Sequence, residues 1–344
     1  MQINRIATGT VAAALLGLAT TGGVQAAAII INPAGTVALG VNDLGSLNTT
    51  TGNIASNASA TGLAYNFGTP SAPDWRDATA PGCLCEGWGI SVNGTTAGWA
   101  NEALGNSNLS PVSFTSGPSS ATSVVSLTSM PGLTVTHDFA PAPNAPDNLF
   151  RSIVTVENMT SNDLTALRYV RVMDWDIPPT EFNEFVTIQG VGTTSYLLRS
   201  HDDGFESPNP LTGLSTTPID LSTLDTDFTD SGPADHGAYF LFEFGDLAAG
   251  DSFTFEIFYG AAGSESEALA AIAAEGIELF SLGQSNGGEV TGEPATFIFG
   301  FKGVGGRPVL PPPGAVPEPA SLGLVGLGLL GLAGLRRRRS QRGR

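Results

Sequence analysis

Basic side chains are scarce in this chain, and lysine is almost missing: Lys302 is the only one in 344 residues. Lysine and arginine together number 14, against 32 aspartates and glutamates. The imbalance is steeper between the ends. Arg5 and the six arginines of the tail set aside, with Glu318, residues 27–316 hold 7 basic and 31 acidic side chains, a net charge of −24. Such a surface repels phosphate backbones and anionic lipid, which excludes nucleic acid as a partner. Cysteine is nearly as rare. Cys83 and Cys85 are the only two, too few for a disulfide-dense scaffold or a zinc cluster of several thiolates. The three histidines, His137, His201 and His236, stand in unrelated contexts. No His-Glu-x-x-His pair and no phosphate-binding glycine loop ending in Gly-Lys occurs.

Turn formers are plentiful, with 44 glycines and 23 prolines. A hydrophobic content of 41% is nevertheless too high for a disordered chain. Short β-branched and aromatic runs recur between the turns, and this pattern predicts an all-β fold, an antiparallel β-sandwich. The clearest strands are expected at residues 124–127, 133–139, 150–158, 167–176, 185–188, 238–244, 252–259 and 296–301. Weaker ones are expected at 29–31 and 90–92. The first two of the clear set read as a hairpin turning at Met130-Pro131-Gly132. Within 167–176, Arg168, Val170, Val172 and Asp174 fall on one face and Tyr169, Arg171, Met173 and Trp175 on the other. Charge pairing across a sheet, with Asp174 or Asp176 beside Arg168 or Arg171, is the structural expectation there. One short helix is expected near the C-terminal end of the domain, over residues 265–275. Ser264 is placed to cap it, and Glu265 and Glu267 lie in its first turn.

The two ends of the chain read as addresses rather than fold. Arg5 supplies a positive n-region, residues 11–19 a short apolar core, and Val24-Gln25-Ala26 the small residues that signal peptidase requires, which predicts a signal peptide over residues 1–26. The domain then spans 27–302, with a sub-boundary at the proline-rich stretch 140–147, and a Gly/Pro linker over 303–316 stiffened by Pro311-Pro312-Pro313. The last segment, 317–344, holds Pro317-Glu318-Pro319, an apolar Gly/Leu run at 320–335, and the cluster Arg336, Arg337, Arg338 and Arg339. The run of sixteen residues falls short of the roughly twenty that a relaxed spanning helix uses. Positive charge after it orients its C-terminus to the cytoplasm and the domain outside.

This order of short motif, apolar segment and arginine cluster resembles the PEP-CTERM sorting signal of Gram-negative bacteria. The resemblance covers only the tail. It implies recognition by an exosortase-type membrane protease and export to the envelope or an extracellular polysaccharide matrix. It implies nothing about what the domain does.

Candidate sites in the domain are few. Cys83 and Cys85 have one residue between them, so their α-carbons lie at most about 7 Å apart and a bend brings them into disulfide range. An oxidising compartment favours that bond. The acidic set comprises Asp174, Asp176, Glu181, Glu184, Asp202, Asp203, and Asp225, Asp227 and Asp230. Alternating carboxylates on a loop suit calcium, which takes six to eight oxygen ligands. Asp225-Thr226-Asp227 begins that way and makes Asp225, Asp227 and Asp230 the calcium candidates. Thr229 and Asp230 then depart from the helix–loop–helix calcium pattern, and no other cofactor is expected. Two carboxylates such as Asp176 and Glu181 at about 5–10 Å would suit glycoside hydrolysis, but nothing lifts that pair above chance. The expectation is a non-enzymatic surface or matrix protein serving biofilm structure or adhesion. It would meet signal peptidase, an exosortase-like protease and extracellular polysaccharide, and touch the membrane only through its C-terminal segment. The alternative is a secreted carbohydrate-active or other hydrolytic enzyme carrying the same tail.

Overall fold

The computed structural model describes residues 26–286 and 295–309. The leader up to residue 25, the motif Pro317-Glu318-Pro319, the apolar run and Arg336 to Arg339 lie outside the described residues. In chain order the first strands are β1 (Ala27–Ile31), β2 (Val37–Asn42), β3 (Leu63–Asn66), β4 (Trp75–Asp77), β5 (Gly87–Val92) and β6 (Thr96–Asn101). Next come β7 (Leu109–Ser116), β8 (Ala121–Leu127), β9 (Met130–Pro141), β10 (Leu149–Asn158), β11 (Leu164–Trp175) and β12 (Glu184–Gln189). The last are β13 (Leu197–His201), β14 (Phe228–Ala234), β15 (His236–Leu247), β16 (Ser252–Ala262), β17 (Leu279–Ser285) and β18 (Thr296–Lys302). Among the described residues there is one α-helix, α1 (Glu265–Glu275), between β16 and β17.

The strands form three antiparallel sheets, so the chain is all-β with the sandwich expected from its sequence. The largest has nine strands in the order β14-β12-β17-β18-β16-β10-β9-β8-β7, and the second five, β13-β15-β11-β5-β6. Their inner faces meet through aromatic rings. Tyr169 of β11 packs edge-on to Phe255 of β16 at 4.9 Å, and Phe240 and Phe242 of β15 reach Phe301 of β18 at 5.3 and 4.9 Å. Each such ring removes a large apolar area from water and adds a geometric preference, which gives the sandwich one packing. The third sheet, β1-β2-β3-β4, closes one side, with Tyr65 against Phe297.

Helix α1 covers the outer face of the large sheet, where Ala268, Ala271 and Ile272 join Leu149, Phe258, Phe280 and Ile298 in a second apolar cluster. The Ser264 hydroxyl accepts from the backbone N–H of Glu267, and Gly276 ends the helix at φ 69°. That positive φ suits glycine, which has no Cβ to clash.

Three local expectations need correction. The β8–β9 hairpin turns at Thr128 and Ser129, and Met130 already pairs with Leu127. Pro131 and Gly132 fall in the register shift between Leu127 and Ser126, where a residue without an N–H leaves no ladder bond unmade. The proline-rich stretch at 140–147 is the loop of another hairpin, since Pro141 pairs with Phe150 across β9 and β10. The head of the linker is bound rather than free: Val304 is buried, Gly306 N–H donates to Glu278 Oε2, and Val309 N–H donates to the Ile277 carbonyl.

Candidate metal centre

The register of the five-stranded sheet creates the site. β11 runs out at the end where β15 begins, with Asp174 opposite Gly237 and Trp175 opposite His236. Val172 faces Gly87, the first residue of β5, so the Cys83-Leu84-Cys85 loop arrives at the same end. Asp176 N–H donates to the Ala78 carbonyl just after β4. Glu184 at the head of β12 accepts from the backbone N–H of His236 through its side chain. The loop after β13, residues 202–204, is drawn in by a bond from Gly237 N–H to the Asp202 carbonyl. A Cβ on Gly204 would stand 2.5 Å from the Asp174 α-carbon, so only glycine fits this close approach.

Asp174, Asp176 and Asp235 converge here, each offering a carboxylate oxygen within 4.8 Å of the others. Asp174 and Asp176 are 2% and 0% exposed, while Asp235 is exposed to solvent. Both oxygens of Asp176 and Oδ1 of Asp174 have no hydrogen-bond partner among the described residues. Asp174 Oδ2 lies 3.4 Å from Cys83 Sγ, but Cys83 is bonded to Cys85, with α-carbons 5.2 Å apart. A disulfide sulfur carries no hydrogen to donate. A buried carboxylate without donors or counter-charge is a costly state. Desolvation accordingly pushes Asp176 up to about 10, helped by the charges of Asp174, Glu184, Asp235 and Asp77. Burial likewise raises Glu184 to about 9 and lifts Asp174 well above the carboxylate range.

The neighbouring groups are spoken for. Arg168 pairs with Glu243 at 2.8 Å and Arg171 with Glu86 at 2.5 Å, so neither arginine of β11 reaches Asp174 or Asp176 as charge pairing across the sheet would require. His236 directs Nδ1 to Asp202 and Nε2 to the Glu184 carbonyl, both at 3.2 Å. Burial works against charge on Asp202, but hydrogen bonds from His236, Thr223 and the Asp220 N–H hold its carboxyl below the usual range. Glu181 accepts from Asn57 Nδ2 at 2.8 Å. Glu184, whose other oxygen takes the Asn183 N–H, flanks the trio without lacking donors.

The sequence candidates for calcium are not brought together. Asp225 accepts from the Ser200 N–H and faces Arg199, Asp227 accepts from the Val191 N–H, and Asp230 accepts from the Thr187 hydroxyl. Each binds a different segment, two through backbone N–H groups and Asp230 through a side chain. Asp235, which completes the actual cluster, has no local sequence signal; only the β11–β15 register brings it to Asp174. One motif in the sequence also needs its structural context. Gly283-Gln284-Ser285-Asn286-Gly287 spells the Gly-x-Ser-x-Gly of serine hydrolases. Ser285 is the buried last residue of antiparallel β17, opposite Glu184. The hydrolase elbow instead lifts its serine out at the top of an α/β sheet, on a turn into a helix.

Residues 315–339 match the PEP-CTERM protein-sorting motif. That match marks an exported protein sorted by an exosortase system, with the cell envelope or surface as its destination. No curated protein matches the chain.

Proposed function

We propose that this protein is a non-enzymatic component of the cell surface or extracellular matrix, delivered through signal peptidase and an exosortase-like protease, whose acidic sandwich contributes to adhesion or to biofilm structure with polysaccharide. The carrying observation is the burial of Asp174 and Asp176 at 2% and 0% exposure, in a chain that bears a sorting motif at 315–339. A glycosidase must bring both of its carboxylates to the scissile bond, and Asp176 of the Asp176 and Glu181 pair is buried away from any glycan. A recess beside β1, lined by Asn42, Asn48, Thr49 and Leu84 among others, holds about 80 Å³, where small-molecule sites run to roughly 300–1,000 Å³.

The test compares the host with strains lacking this gene or its exosortase. The expected result is protein in the envelope or matrix fraction, shortened at its C-terminus by intact mass, with attached biomass reduced in the deletion strain. Sugar release from host polysaccharide by the purified protein would overturn the non-enzymatic assignment. A mass reaching Arg344 in the wild-type host would overturn processing.

A further inference from the structure

We propose that Asp174, Asp176 and Asp235 bind one hard divalent cation, calcium in preference to magnesium, and that the ion pins together the strand ends and loops that meet at this end of the five-stranded sheet. The geometry alone supplies a three-carboxylate set within 4.8 Å. The independent observation is the state of the buried oxygens. Asp176 is fully buried, and among the described residues neither of its oxygens meets a donor; Asp174 Oδ1 meets none either. Buried polar atoms in folded proteins are paired almost without exception, and an orphaned set aimed at one point calls for a ligand.

The donor chemistry selects the ion. All three side chains present hard oxygens, which suit calcium, magnesium or manganese. Zinc prefers nitrogen and sulfur, but the nearby sulfurs are joined in the Cys83–Cys85 disulfide and both ring nitrogens of His236 are already engaged. Magnesium holds several of its waters in a near-ideal octahedron, whereas calcium accepts irregular and bidentate carboxylates. Two of the three ligands here are sealed in, and only the Asp235 side opens to solvent. Water can complete the shell on that side alone, which favours calcium. Asp235 also provides the route by which the ion arrives. The site lies apart from Asp225, Asp227 and Asp230, whose carboxylates serve the Ser200 and Val191 N–H groups and the Thr187 hydroxyl.

The ion would tie the end of β11 to the start of β15. Asp202, through the Gly237 N–H, and Gly204, packed on Asp174, bring the 202–204 loop into the same junction. Its role is therefore to fix the strand ends and the 202–204 loop at this end of the sheet, and it does not depend on the matrix or adhesion assignment. A protein that fails to bind calcium could still reach the matrix, and one that binds calcium could still be absent from it, so the two proposals fail separately.

The exported protein, purified from its host and stripped with chelator, is titrated calorimetrically with calcium chloride and, in separate runs, with magnesium chloride and zinc chloride. Each form is also melted. The expected result is one calcium per chain with a dissociation constant at or below about 10⁻³ M, the range of extracellular calcium modules, and a melting temperature that rises with calcium and saturates. Asp235→Asn, at an exposed position that does not threaten folding, weakens binding by about tenfold or more, at least what a disturbed outer-shell partner costs a metal site. Asp176→Asn abolishes saturable binding, and in chelator it melts no lower than the unaltered protein because the carboxyl it replaces is buried without a partner there. Absence of saturable heat and of any melting shift at about 10⁻² M calcium, ten times the weak end of that range, would overturn the proposal. So would unchanged affinity in Asp235→Asn, or zinc binding that appears only after reduction, which would assign the site to Cys83, Cys85 and Asp174.

Discussion

Replacing Arg171 with methionine removes, among the described residues, the one fully buried arginine. Arg171 and Glu86 are both fully buried and 2.5 Å apart. The guanidinium also donates to the Gly45 carbonyl at 3.2 and 3.3 Å and to the Tyr169 hydroxyl at 3.4 Å, and it lies 5.5 Å from the centre of the Tyr259 ring. Without it, Glu86 keeps only the Leu47 N–H, at 2.7 Å, and becomes a buried charge with no counterion. Losing one partner of such a pair costs about 3–5 kcal/mol. At roughly 2–4 °C per kcal/mol for a domain of this size, Arg171→Met should lower the melting temperature by roughly 6–20 °C. Adding Glu86→Gln removes the stranded charge while keeping an acceptor for Leu47. The double variant should therefore lose less than the sum of the two single variants, with a coupling of about 1–3 kcal/mol. Trp88 is a natural reporter, because its indole packs 4.6 Å from the His137 ring and stacks on Tyr169. Unfolding followed by its fluorescence in urea gives the four free energies. Additive losses, or a single-variant loss below about 1 kcal/mol, would refute the claim that this pair is a coupled, desolvated unit.

Acidity should stabilise the chelator-treated protein between pH 9 and 7. Asp176 is raised to about 10 and Glu184 to about 9, so the folded state takes up protons in this window while unfolded carboxyls stay ionised, and stability falls as pH rises through it. His137 and His201, both lowered by burial, are mostly neutral folded or unfolded in this window and do not offset the trend. Melting curves in chelator should shift upward from pH 9 to 7, and a flat or inverted profile would mean that the acid cluster is not desolvated as described. Gly204→Ala should loosen the 202–204 loop from β11, since its Cβ would meet Met173 O at 2.7 Å as well as Asp174. A melting temperature unchanged from that of the unaltered protein would show that the loop yields at no cost.

The strands that were legible are those with one face in the core and one polar or aromatic signature. β10 alternates buried and half-buried residues along nearly its whole length, and the aromatic runs of β15, β16 and β18 announce themselves. β2 and β5 were harder because every residue in each is buried; with both faces covered, the period of two disappears and glycine dilutes the apolar run. β17 failed for the same reason. The candidate site divides in the same way. Asp174 and Asp176 stood out as alternate acids at a strand end, but their true neighbour is Asp235, sixty residues away in a turn with no pattern of its own. Asp225, Asp227 and Asp230 looked better as a ligand loop because spacing is visible in sequence, whereas the backbone N–H groups that occupy two of these carboxylates are not.

This contrast explains why the destination of the protein is plainer than its chemistry. A sorting signal is read by another protein as an extended string, so all its information lies in consecutive residues. A cation site is defined by the absence of donors around converging oxygens, and that absence exists only after several segments have folded together. The two features nevertheless bear on one event. Until the ion binds, the domain carries donorless carboxylates at the junction of its central strands; an ion bound only by the folded state stabilises it by mass action, by an amount set by free ion over dissociation constant. A site tuned to the weak extracellular range would be nearly empty at the trace calcium of a cytoplasm and filled after export, so the fold would tighten on the side of the membrane to which its tail directs it.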